Sequence, residues 1–191
     1  AGRSRLKTLL LEKAGLGGQI ILSPTIENYP GFAAGVETAE LIQAMHKQVE
    51  ELEVEIRYEE VNKISGASGL FKVSSSEAEY EAKTVIIASG ACPKKLGIPG
   101  EAKLIARGVS YCGTCDGPLF KNKEIFVVGG GDKAVEEAIY LTRFASKVSL
   151  IHRRQELRAS KILQERLFEN KKIEVLWDTV PLEILGDKVV E

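Results

Sequence analysis

The feature that most limits the fold is a strand–glycine–helix–strand run in the second half of the chain. An apolar strand is expected over residues 124–128, followed at once by Gly129-Gly130-Gly131-Asp132-Lys133-Ala134. A helix over 132–144 and a second strand over 148–151 complete a βαβ unit of the usual length. The parallel strands of such a unit need a crossover, and here the helix supplies it. The GxGxxA match of Gly129, Gly131 and Ala134 is weak by itself. It gains weight by standing between a strand and a helix, which brings backbone N–H groups and the helix dipole to a pyrophosphate. Asp132 and Lys133 fall in the first turn of that helix.

The second strand of a dinucleotide unit ends where the adenosine ribose binds. An acid there receives ribose hydroxyls, whereas arginine accepts a 2′-phosphate. This strand ends in His152-Arg153-Arg154, with Arg158 a turn later. Three cations and no acid favour NADPH over NADH. The competing reading is a solvated basic loop opening a helix. A metal role for His152 lacks a second histidine or acid at ligand spacing, and no metal site is expected.

Residues 6–11 form an apolar run that predicts another buried strand, ending at the acid Glu12. That end suits a ribose with free hydroxyls, as in FAD or NAD. The loop after it, Gly15-Leu16-Gly17-Gly18-Gln19, lets backbone approach a bulky group, although a surface turn has the same composition. Ile26-Glu27-Asn28-Tyr29-Pro30-Gly31 is a second irregular segment. Helical periodicity follows over 37–52, with Leu41, Ile42, Met45, Val49 and Leu52 on one stripe and His46 off it, in solvent. Short strands are expected at 54–58, 71–75 and 79–81, with Gly66 and Gly69 marking the turn between the first two. A buried strand is expected at 84–88. The Pro, Gly and Lys mix over 93–100 predicts a domain boundary, and Cys92 beside it is structural or incidental. Further on, the pattern predicts a helix over 159–170 with Ile162, Leu163, Leu167 and Phe168 as its apolar face. A strand over 173–177 ends in Trp177, read as packing, and a hairpin is expected around Gly186-Asp187.

Between the two halves stands Cys112-Gly113-Thr114-Cys115-Asp116-Gly117. A CxxC serves as a redox disulfide or as half of a zinc site. Zinc needs two more ligands, and Cys92 and His152 are the only candidates, neither in a paired spacing. Glycine and threonine between the cysteines, and a nucleotide-binding strand behind them, favour a reductase of thioredoxin-type proteins over a member of that class. Asp116 is placed to move a proton when a thiol leaves or is regenerated. Its alternative is a plain Asp-Gly turn before Pro118.

The net charge of −1 gives no reason to expect nucleic acid or an anionic membrane as partner. No apolar run approaches the roughly twenty residues of a membrane span, and the first residues lack the apolar core of a secretion signal. Three cysteines suit a cytosolic protein rather than a secreted disulfide framework.

These residues resemble the low-molecular-weight thioredoxin reductases over essentially the whole chain. The matching segments are Gly17-Gly18-Gln19, Glu27-Asn28-Tyr29-Pro30-Gly31, the CxxC segment through Gly117, the glycine loop with Ala134-Val135-Glu136-Glu137-Ala138, and His152-Arg153-Arg154 with Leu157-Arg158-Ala159. The resemblance implies an α/β fold of two Rossmann-like, three-layer domains. Residues 1–93 would be an incomplete FAD domain and residues 94–191 an NADPH domain carrying the dithiol. It implies electron flow from NADPH through FAD and a Cys112–Cys115 disulfide to thioredoxin, in a cytoplasmic homodimer. Cys115 would be the flavin-side sulfur, Cys112 the one that attacks thioredoxin, and Asp116 the acid–base residue. Glu12, Gly17, Gly18, Gln19 and Asn28 would contact FAD. Gly129, Gly131, Asp132, Ala134 and His152 would serve NADPH, with Arg153, Arg154 and Arg158 on its 2′-phosphate. The family's domains rotate, and residues 94–100 would be one hinge strand. Departures are Gly113, where alanine is usual, Lys133, where a small or hydroxyl residue is usual, and the absence of a first flavin-binding GxGxxG and of a closing Gly-Asp segment. The alternatives are the NADH-linked flavoprotein subunit of alkyl hydroperoxide reductase and a flavin-free NADPH-binding redox module.

Overall fold

Two separate units, Ala1–Cys92 and Pro93–Glu191, make up the computed structural model, which describes residues 1–67 and 69–191. In the first, β1 (Leu9–Glu12) is followed by a short antiparallel pair, β2 (Thr25–Ile26) and β3 (Val36–Glu37), then by helix α1 (Thr38–Glu51) and β4 (Glu55–Tyr58). Strands β1 and β4 pair in parallel, with Leu9 opposite Glu55 and Glu12 opposite Tyr58. The helix begins where Thr38 ties the chain to the preceding loop. Its hydroxyl donates to the Ser23 carbonyl and its N–H to the Pro24 carbonyl. Leu41 is buried on the expected stripe, and His46 faces Glu50 one turn on at 3.7 Å.

A meander completes this unit: β5 (Val61–Ala67), β6 (Leu70–Ser75) and β7 (Glu79–Ala82), all antiparallel. Strand β5 has no counterpart in the sequence reading. Every one of its residues is exposed, so no alternation of apolar and polar residues betrays it. The glycine-marked turn therefore joins β5 to β6, not the 54–58 strand to its successor. Glu59 is buried just ahead of the meander and accepts hydrogen bonds from the Ser75 and Tyr80 hydroxyls. The Ser75 bond, more than any other contact, holds its carboxyl below the ordinary carboxylate value.

Two expectations fail in this unit. The first strand starts at Leu9, not Leu6, and is half-buried throughout, with Leu6 63% exposed. Residues 84–88 form no strand, and Ile86 and Ile87 are 84% and 74% exposed. Strand geometry needs a neighbour to take up backbone N–H and C=O groups, and among the described residues no strand pairs with this run.

The second unit opens with an irregular segment, then α2 (Gly113–Asp116), which runs straight into a 3-10 turn, Gly117–Phe120. Next come β8 (Glu124–Val128), α3 (Asp132–Leu141), β9 (Lys147–Ile151), α4 (Lys161–Glu169) and β10 (Ile173–Leu176). The sheet has the order β10-β9-β8 and is fully parallel. Central β9 is covered on both faces, with Val148, Ser149 and Leu150 buried, which is why it reads as a continuous apolar run. Val135, Ala138 and Leu141 of α3 and Leu163 and Leu167 of α4 close the core over it. The apolar face of α4 is narrower than the periodicity suggests, since Ile162 and Phe168 are exposed. Trp177 packs edge-on to His152, with ring centroids 6.1 Å apart.

The chain's last segment forms no strand ladder, although it turns where the hairpin is expected. It turns at Gly186 and lies along residues 99–107, with the Ile184 N–H donating to the Pro99 carbonyl and the Val190 N–H to the Arg107 carbonyl. One backbone bond does cross the turn, from the Glu191 N–H to the Leu185 carbonyl at 3.1 Å, while the Ile184 and Val190 N–H groups are used on the neighbouring loop.

Candidate functional site

Cys112 and Cys115 are joined by a disulfide, with Cα atoms 5.3 Å apart. Cys112 is the N-cap of α2, and its Sγ accepts the Cys115 N–H at 3.2 Å. The Thr114 hydroxyl lies 3.3 Å from the same sulfur and, with no S–H present, must be the donor. Cys115 is exposed and Cys112 half-buried. Asp116 is half-buried at the end of α2, one residue beyond the disulfide. The Asp116-Gly117 pair is not a turn. Gly117 has ordinary helical φ, and a Cβ there would come 2.8 Å from Leu141, so glycine is required by the close approach of α3.

Two carboxylates unnoticed in the sequence frame this dithiol. Glu101 is buried, 4% exposed, and accepts the Tyr111 hydroxyl at 2.7 Å and the N–H groups of Leu96 and Gly97 at 2.8 and 2.7 Å. The Tyr111 bond, then the Leu96 N–H, hold its carboxyl below the ordinary 4.5, while the same bond raises the Tyr111 phenol above 10.0. Glu137 of α3 accepts the Gly113 N–H at 3.0 Å and faces Lys133 Nζ at 3.2 Å. Nothing in the chain's spacing links 101 to 111. The Lys133–Glu137 pair, four apart on a helix, was legible. A Cβ on Gly113 would rest 3.4 Å from the Glu137 side chain, so alanine would fit there.

The glycine loop between β8 and α3 is built by three different demands. A Cβ on Gly129 would lie 2.6 Å from the Ala134 Cβ, so the first and last motif positions exist for strand–helix packing. A Cβ on Gly130 would fall under 3.0 Å from three ring atoms of His152. A Cβ on Gly131 would meet nothing within 4 Å, so the loop is open where the first N–H groups of α3 point outward. That open cradle fits a pyrophosphate.

The His152 ring nitrogens face the protein's own backbone. The residue is 7% exposed, with Nδ1 and Nε2 each 2.9 Å from a backbone carbonyl oxygen, those of Gly129 and Glu156. The ring is a strut between the glycine loop and the arginine loop. The Arg158 and Ala159 N–H groups also donate to the Gly130 carbonyl. Asp132 accepts the Ser160 N–H at 2.6 Å, so it anchors the start of α4 to the same loop. Arg153, Arg154 and Arg158 are exposed and, among the described residues, none pairs with an acid. Their guanidinium groups remain available for an anion.

In the first unit, Glu12 ends β1 and accepts the Ala14 N–H at 3.1 Å. Gly17 and Gly18 take left-handed φ of 111° and 50°, which favours glycine, and Gly18 faces open space. Gln19 and Asn28 are exposed, Asn28 beside an open depression bounded by residues 27–33. Among the described residues no group of three or more His, Cys, Asp or Glu is arranged to hold a metal, and no helix is long and apolar enough to cross a membrane.

The description "pyridine nucleotide-disulphide oxidoreductase" matches the chain over residues 1–191. The chain belongs to that family. Within it, the chain is similar to the thioredoxin reductase of Peptoclostridium litorale, 47% identical over 99% of this chain and 60% of the relative. It is also similar to that of Bacillus subtilis, 47% identical over 95% of this chain and 57% of the relative. Among solved structures of the family, Lactococcus lactis thioredoxin reductase superposes with a TM-score of 0.95 at 48% identity, covering 99% of this chain and 62% of that one. Thioredoxin reductase from T. acidophilum gives 0.90 at 31% identity, with 99% and 62% covered. The chain thus spans about 60% of the length of the curated relatives it matches.

Proposed function

We propose that this chain carries the dithiol and the NADPH-binding portion of a thioredoxin reductase, with part of its FAD-binding portion. The observation that carries the reading is the Cys112–Cys115 disulfide on a short helix bonded through Gly113 to α3, the helix that opens from the glycine cradle. The family's two nucleotides supply the electrons, NADPH as a hydride donor and FAD as the relay. Residues 1–93 contribute Glu12, Gly17, Gly18, Gln19 and Asn28 to the FAD site. Residues 94–191 hold NADPH, its pyrophosphate at Gly129 to Ala134 and its 2′-phosphate on Arg153, Arg154 and Arg158.

The chain's own part is disulfide exchange. Two electrons and two protons convert Cys112–Cys115 to a dithiol. The Cys112 thiolate then attacks the disulfide of oxidised thioredoxin and forms a mixed disulfide. The Cys115 thiolate attacks Cys112 Sγ, releases reduced thioredoxin and restores the original bond. Asp116 carries a proton for the departing or regenerated thiol. The reading includes a homodimer in the cytoplasm.

The test is NADPH oxidation by the full-length flavoprotein with oxidised thioredoxin. Turnover is expected with NADPH well above that with NADH, and Cys115→Ser is expected to abolish it. A preference for NADH, or thioredoxin reduction that survives Cys115→Ser, would refute the assignment.

A further inference from the structure

We propose that Glu137 is a positioning residue for the dithiol, and that Lys133 sets how strongly its charge acts on Cys112. One carboxylate oxygen, Oε1, serves both contacts: it accepts the Gly113 N–H at 3.0 Å and meets Lys133 Nζ at 3.2 Å. Glu137 is the more buried of the pair, its side chain 17% exposed against 47% for Lys133. A partly buried charge is screened less than an exposed one. The amide that Glu137 grips follows directly on Cys112, whose sulfur already receives the Cys115 N–H and the Thr114 hydroxyl.

The other charged groups around α2 are few. Asp116 lies on α2 itself, and the 3-10 turn Gly117–Phe120 carries no charge. On α3, Asp132 is bound to the Ser160 N–H, and Glu136 stands one position before Glu137. Ahead of the pair, the Tyr111 phenol is bonded to Glu101. Lys133 is therefore the cation closest at hand to offset Glu137.

The consequence appears once the pair is reduced. The disulfide takes up two electrons and two protons, and Cys112 then releases its proton to become a nucleophile. A negative charge on Glu137 opposes that release, and Lys133 relieves the opposition. Removing Lys133 makes Cys112 less acidic. Neutralising Glu137 while keeping an oxygen for the Gly113 N–H makes it more acidic. A tenfold change in thiolate population, offset by the weaker nucleophilicity of a more acidic thiol, becomes a change of about threefold in alkylation rate.

This inference rests on the reading of Cys112–Cys115 as a reducible pair with Cys112 ionising. Its test needs neither flavin nor thioredoxin. The chain is reduced with dithiothreitol, which is oxidised to its cyclic disulfide, then desalted and treated with iodoacetamide near neutral pH. Alkylation of each cysteine is followed by peptide mass spectrometry. Cys92, free and exposed in the other unit, is an internal reference. Lys133→Met is expected to slow Cys112 about threefold and Glu137→Gln to speed it about threefold, with Cys92 unchanged. Equal rates in all three proteins, or shifts of both variants in one direction, would overturn the coupling while leaving the dithiol reading intact. Failure of dithiothreitol to open the wild-type pair would overturn the dithiol reading and the coupling with it.

Discussion

Gly130→Ala tests the account of the glycine loop most directly. Gly130 lies between the two motif glycines and is outside the GxGxxA positions, so motif logic alone predicts tolerance. The structure predicts damage. A methyl group there would sit under 3.0 Å from Cε1, Nδ1 and Nε2 of His152, a buried ring held between two carbonyls. Gly130 is not in the left-handed region, so backbone strain adds nothing and the whole cost is steric. Overpacking contributes about 1–3 kcal/mol, and displacing the ring from its polar contacts about 1 kcal/mol in all. The sum is about 3 kcal/mol. With a urea m-value of about 1.5 kcal/mol/M, the midpoint should fall by about 2 M. Trp177 is the chain's one tryptophan and packs on the His152 ring, so its fluorescence reports on this unit alone. The decisive control is a double-mutant cycle. His152→Ala costs stability by itself, but Gly130→Ala added to it should cost almost nothing, because the methyl then has room. An unchanged midpoint for Gly130→Ala, or additive costs in the cycle, would refute the strut.

Arg153→Ala and Arg154→Ala should each weaken NADPH binding by about tenfold, the loss of a charge-assisted contact, and leave NADH binding unaltered. Calorimetric titration of both nucleotides checks this, and equal losses would place the arginines away from the 2′-phosphate. Glu101→Gln should destabilise the second unit at neutral pH. Because the folded carboxyl is held below 4.5, its contribution is full above that pH and disappears as pH falls through the lowered value. Wild-type and variant midpoints should therefore converge on acidification below 4.5, and a constant gap would show that ionisation is irrelevant.

The second unit was the more legible half. Residues 124–128, 132–141 and 147–151 carry continuous apolar runs and a helical stripe because β9 is buried on both faces and α3 on one. The first unit reads less well. β5 leaves no pattern because all of it faces solvent, and residues 84–88 look like a core strand while lacking a neighbour to pair with. At the site, residue types were visible but their tasks were not. The carbonyl partners of His152 are not legible in the sequence, because they are 23 and 4 residues away and the first of these belongs to another element. Glu101 carries no motif, and only folding brings it to Tyr111.

Glu101 also fixes a length. Its carboxylate clamps the N–H groups of Leu96 and Gly97 onto the second unit, so chain that looks like linker up to Gly100 is already anchored at Leu96. What is left between the boundary at Cys92 and that anchor is Pro93, Lys94 and Lys95. Three extended residues reach about 10 Å, and Pro93 fixes one of their few free torsions. The part of this segment that no Glu101 contact holds is therefore far shorter than its Pro, Gly and Lys composition suggests.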